Sequence, residues 1–208
     1  MLASVAESWS GAAGTFSAPA TNGREEMFEE GVYEARRDRT TDGLAYVLTE
    51  AGEPTLRWTV HPYRLGDVCL RGPDDEPVLR VTGGADDEYV DAHFTVVDER
   101  SGSVVGYVRW ALRSLFRRHW SLLDAHGVEV ATAVASSRFR AVVRLRWLRF
   151  VPYRYALRDA EGTAVGDLRG SIQPRRAFSL DLSDDAEEAI DPRLAVAASA
   201  IVDAFEFR

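Results

Sequence analysis

Residues 136–148 read as a regular strand, with arginine at 138, 140, 144 and 146 and Phe139, Ala141, Val143, Leu145 and Trp147 on the alternate positions. In an extended strand successive side chains point to opposite faces, so Arg138, Arg140, Arg144 and Arg146 share one face and the apolar set takes the other. Same-side residues on such a strand recur every ~7 Å. A planar guanidinium matches phosphate or carboxylate oxygens with paired N–H donors. Aligned like charges repel, so this row calls for carboxylates on neighbouring strands or for an anionic ligand. Arg117 and Arg118 lie in the preceding connection and add to the same charge. Two readings follow: a solvated face balanced by Asp and Glu, or a patch for lipid phosphates made of Arg138, Arg140, Arg144, Arg146, Arg117 and Arg118.

Little else in the chain has the spacing of a reactive site. No Gly-x-Ser-x-Gly elbow and no glycine-rich phosphate loop occurs. His61, His93, His119 and His126 are scattered, and none stands at ligand spacing from Cys69, the single cysteine. The expectation is a non-enzyme without a cofactor and without a metal site. An acidic run, Asp181, Asp184, Asp185, Glu187, Glu188 and Asp191, offers oxygen ligands of the type calcium or magnesium takes. Acids before a helix are also favoured by its dipole alone.

The elements that position these residues read as short strands. Residues 46–49 and 56–60 flank one Gly/Pro-marked turn, and residues 68–71 and 78–81 flank another. Three further hairpins are predicted around Asp98–Gly106, Asp124–Ala131 and Asp159–Gly166. In these, Asp bonds the backbone ahead of it and Gly takes the left-handed turn position. Glu25–Arg39 suggests a first strand or short helix, Gly83–Asp91 an acidic loop, and Phe178, Leu180 and Leu182 a last strand. Repeated strand–turn–strand units argue for an antiparallel sandwich or barrel. Residues 1–24, rich in Ala, Ser, Gly and Thr, read as a mobile N-terminal tail, leaving 25–208 as one domain.

A helix over 191–207 ends the chain. Asp191 suits its N-cap and Pro192 its first position. Between Leu194 and Phe205 only Ser199 and Asp203 are polar, and a helix apolar all round must be buried all round. Its many alanines make it thin, which fits a plug inside a barrel or a rod packed on one face of a sheet.

With 208 residues and 46% hydrophobic content, the chain can build a sizeable core. Its net charge is −8, and every basic residue apart from histidine is arginine. A net acidic chain is a poor general nucleic-acid binder. One cysteine, no signal-like N-terminus and no segment of membrane-spanning length suggest a cytoplasmic protein with no transmembrane segment.

The repeated Asp-x-x-Gly hairpins, the stretch Arg117-Arg-His-Trp-Ser-Leu-Leu-Asp124, the run Phe178-Ser-Leu-Asp-Leu-Ser183 and the ending from Leu194 to Phe207 together resemble the tubby C-terminal-like superfamily. The phospholipid-scramblase and LURP-one-related branches are the most similar. That resemblance implies a mainly β fold, a closed antiparallel barrel of about twelve strands around a buried apolar C-terminal helix, and favours the plug. It also implies a non-catalytic barrel that binds anionic phospholipid headgroups or a membrane surface through its arginine-rich face, peripheral to the inner membrane face. A structural or protein-interaction module with no small ligand is the alternative.

Overall fold

The structure, a computed structural model, describes residue 28 and residues 31–40, 43–60, 67–85, 91–111, 119–135, 152–173, 175–183 and 186–206. Twelve strands are present: β1 Val32–Thr40, β2 Gly43–Glu50, β3 Glu53–Val60, β4 Asp67–Arg71, β5 Pro77–Ala85, β6 Asp91–Asp98, β7 Val104–Ala111, β8 His119–Asp124, β9 Glu129–Ala135, β10 Arg154–Asp159, β11 Ala164–Gly170 and β12 Arg176–Leu182. Two helices follow, α1 Ala186–Ala189 and α2 Pro192–Glu206. Each strand pairs antiparallel with its sequence neighbour, and β1 closes on β12, giving a twelve-stranded closed barrel around α2. The expected barrel and plug are both present. Closure removes the exposed edges that an open meander would carry.

The tight turns follow the expected chemistry. Asp124 Oδ1 accepts from the amides of His126 and Val128 at 2.8 Å each, and Gly127 has φ 81°. Asp159 Oδ1 accepts from Thr163 N at 2.7 Å, with Gly162 at φ 88°. Around Asp98 the loop is one residue longer, with Gly102 N donating to the Asp98 carbonyl. At Gly83 the expected acidic loop gives way to strand: β5 runs on to Ala85, with Gly83 opposite Phe94 and Gly84 opposite His93. The reason is steric. Gly83 has φ 133°, and a Cβ there would sit 2.1 Å from the His93 carbonyl oxygen, so only glycine lets the ladder continue. The first element is strand, not helix: Tyr33, Ala35 and Arg37 alternate inward.

The antiparallel order sends successive connections to opposite ends. The turns after β2, β4, β6, β8 and β10 lie at one end, the hairpin end. The connections after β1, β3, β5, β7, β9 and β11 leave from the other, the far end. Helix α2 starts at the hairpin end, where Leu194 packs against Gly106 so closely that a Cβ on that glycine would meet it at 2.9 Å. It finishes towards the far end, where Phe205 sits against Trp110 and Trp120 at 5.1 and 5.3 Å. Leu194 to Ala204 and Glu206 are buried. One seam is looser. Among the described residues β3 and β4 meet only at Arg57–Arg71, whereas neighbouring strands elsewhere share five or more partners, as at Asp67–Arg71 of β4 against β5.

Candidate functional site

Arg117 and Arg118, and Arg138, Arg140, Arg144 and Arg146, lie outside the described residues, as does the strand expected over 136–148. The described strands that flank them are informative. Ala111 ends β7, His119 begins β8, Ala135 ends β9 and Arg154 begins β10. These four strands are adjacent in the barrel and all four positions are at the far end.

Of the acidic run, the side chains of Asp181 and Asp191 are described and those of Asp184, Asp185, Glu187 and Glu188 are not. Asp181 is exposed on β12, while Asp191 caps α2, accepting from Arg193 N at 2.9 Å. Asp184 and Asp185 lie outside the described residues. Among the described residues no three His, Cys, Asp or Glu side chains are grouped to hold a metal ion. Arg193 ties the cap to the barrel wall, its guanidinium 2.6 Å from Asp191 and 2.7 Å from Asp98. Partial burial pushes the Asp98 carboxyl up, but the amides of Ser101 and Arg100 and the Arg193 charge outweigh it and hold the group below its ordinary range.

Inside the barrel the structure assembles a polar group that spacing alone did not reveal. Asp203 is fully buried. Its carboxylate pairs with the buried Arg37 guanidinium at 3.4 Å and accepts from the Tyr153 hydroxyl at 2.7 Å. One turn on, Glu206 accepts from the Tyr155 hydroxyl at 2.6 Å. The Tyr46 hydroxyl, on the strand beside Arg37, lies within electrostatic reach of Asp203 and Arg37 but makes no close hydrogen bond. Burial first, and the Asp203 charge second, push the Tyr46 and Tyr153 hydroxyls well above the ordinary tyrosine range. Both therefore stay protonated donors at any physiological pH. The arrangement anchors α2 to the barrel wall. One signal pointed to it in the sequence: an acid inside an apolar helix needs a partner.

The second cluster is on the outer wall at the far end. Asp167 holds Arg154 at 2.6 Å and Arg169 at 2.9 Å, so one carboxylate serves two guanidinium groups. Those contacts, led by the Arg154 hydrogen bond, keep the Asp167 carboxyl below its ordinary range. Arg176 pairs with Glu34 on the adjacent β1. Arg36, Arg39 and Arg175 are exposed and make no ion pair among the described residues.

No family model matches the chain, and no curated protein matches it. An X-ray structure of an Arabidopsis thaliana protein is similar in fold, with TM-score 0.50 and 11% identity over 87% of this chain and 95% of that one.

Proposed function

We propose that this barrel is a non-catalytic module that binds anionic phospholipid headgroups at a membrane surface. One observation carries the reading. The β7–β8 and β9–β10 connections leave from adjacent strands at the far end. In sequence, residues 112–118 and 136–151 contain Arg113, Arg117, Arg118, Arg138, Arg140, Arg144, Arg146 and Arg149, without an Asp or Glu. Eight arginines in two sequence segments free of carboxylates, within an otherwise acidic chain, suit phosphate better than scattered charge does. The resemblance to the scramblase and LURP-one-related branches supports the same ligand class.

Contact with the membrane is peripheral in this reading. No helix of the described residues is long and apolar enough to cross a membrane. The outward strand positions carry Glu34, Arg36, Arg57, Arg80, Arg109 and Arg154, where a lipid-embedded barrel would need an apolar band.

Co-sedimentation with vesicles tests the proposal. The full chain should pellet with phosphatidylcholine vesicles containing phosphatidylserine and stay in the supernatant with phosphatidylcholine alone. Equal behaviour with both vesicle types rejects it and favours a module that binds protein.

A further inference from the structure

We propose that the short connection between β11 and β12 is a membrane-contacting tip, with Ile172 as its inserted side chain and the surrounding arginines as its headgroup contacts. This rests on the surface-binding reading above and adds to it a defined contact point and an orientation.

Among the described residues three large apolar side chains are strongly exposed: Val32 at 51%, Val128 at 60% and Ile172 at 65%. Their surroundings separate them. Val32 lies at the hairpin end, opposite Asp181 and two residues from Glu34. Val128 lies in the β8–β9 turn between Asp124 and Glu129, also at the hairpin end. An anionic surface would repel both neighbourhoods. Ile172 alone stands at the far end. On the adjacent strands β10, β11, β12 and β1 are Arg154, Arg169, Arg176, Arg36 and Arg39, and Arg175 is in the same connection as Ile172. Among the described residues their carboxylate company is Asp167, Glu34 and Asp38, so these described side chains are net positive in a chain of net charge −8. Arg36, Arg39 and Arg175 remain without an ion pair among the described residues.

The tip is also held in place. Gly170 N donates to the Tyr153 carbonyl at 3.0 Å, Ser171 N to the Ala177 carbonyl at 2.8 Å, and Arg37 N to the Arg175 carbonyl at 2.9 Å. The Ser171 hydroxyl accepts from Gln173 N at 3.1 Å. These bonds tie the connection to β10 on one side and to β1 on the other. An apolar side chain on a pinned backbone costs little ordering entropy when it inserts. An exposed isoleucine at the end of the barrel that also carries Arg36, Arg39 and Arg175 matches a bilayer interface, where apolar burial and attraction to anionic lipid add together. Contact there stands the barrel axis steeply to the surface, with the acidic hairpin end pointing away.

The test uses the full chain and vesicles of phosphatidylcholine with and without phosphatidylserine. Ile172→Ser should weaken binding to anionic vesicles about tenfold, and Ile172→Trp should strengthen it. Arg36→Gln with Arg175→Gln should weaken it by roughly fivefold per arginine. None of these exposed changes should move the melting temperature by more than a degree or two. A fluorophore on Ile172→Cys, in a Cys69→Ala background, should shift to the blue on anionic vesicles. If the wild type binds but these variants match it and the fluorophore does not shift, the tip is wrong while the surface reading stands. If the wild type binds no vesicle, both fall. If the same variants lose binding to an acidic polypeptide and the wild type ignores lipid, the partner is protein and the membrane tip is overturned.

Discussion

Asp203 sits in the last turn of α2, where the helix dipole already places partial negative charge. Glu206 adds to it one turn later, and the last turn holds no basic residue. The helix keeps these acids because the barrel supplies what the helix lacks: Arg37 from β1 and the hydroxyls of Tyr153 and Tyr155. Removing the guanidinium leaves a buried carboxylate without the cation that pairs with it. Arg37→Met should therefore lower unfolding stability by about 3–5 kcal/mol, out of a typical total of about 5–15. Adding Asp203→Leu should recover most of that loss, since a buried pair replaced by apolar groups is often neutral. The remainder should be about 1–3 kcal/mol, from the Tyr153 hydroxyl left without its acceptor. Urea unfolding of the two variants measures both steps. An Arg37→Met loss below about 1 kcal/mol would mean the pair does not anchor the helix. The sequence marked Asp203 as anomalous, but Arg37 was hidden in Arg36-Arg37-Asp38-Arg39, where only the strand's phase shows which arginine faces in.

The hairpins were legible at the level of single elements because their turns are chemically determined. Asp98, Asp124 and Asp159 accept from the amides ahead of them, and the glycines that follow take positive φ. Gly83 and Gly84 misled for the same reason, since paired glycines ordinarily end a strand. Their ladder survives because the close approach of the His93 carbonyl excludes any side chain there. The all-round burial of α2 followed from its composition, but the closure of β1 on β12 did not follow from any local pattern. Pairing between the first and last strands is set by curvature accumulated over the whole sheet. The β3–β4 seam was equally invisible. Below it lies a small apolar crevice of about 10 Å³, lined by Trp58 and Leu70 and by the small side chains Ala200 and Ala204. A strand paired fully on one side only opens at lower free energy than one paired on both. Amides of β4 should thus exchange with solvent faster than those of β7, which has five or more partners on each side. Native-state hydrogen exchange read by mass spectrometry resolves the two segments. Equal protection would show the seam to be as firm as the rest of the wall.

For the whole molecule, the meander turns a chain of mixed charge into a polarised barrel. Asp74, Asp75, Asp98, Glu99, Asp124, Glu129, Asp159 and Glu161 gather at the hairpin end. Arg36, Arg39, Arg109, Arg154, Arg169 and Arg175 lie towards the other, together with Asp38, Asp67 and Asp91, while Arg71, Arg100 and Arg158 stand at the hairpin end. No linear reading of net charge reveals this, because the alternation of strand direction, not distance along the chain, sets the end at which each charge stands. The consequence for the proposed function is a dependence on salt that separates two kinds of phosphate contact. A diffuse positive field is screened as the Debye length falls from ~10 Å at 0.1 M to ~3 Å at 1 M. Paired, partly desolvated guanidinium–phosphate bonds persist better. Arg140→Ala with Arg144→Ala should weaken binding to phosphatidylserine vesicles in low salt while leaving the melting temperature nearly unchanged, since exposed charges contribute about 0–1 kcal/mol per pair. If these arginines hold phosphate directly, a measurable difference between variant and wild type persists at 1 M salt; if they act only through the field, the two converge there. A variant that melts several degrees early and binds vesicles like the wild type would instead show arginines paired with carboxylates of the barrel itself, and would take Arg140 and Arg144 out of the lipid site.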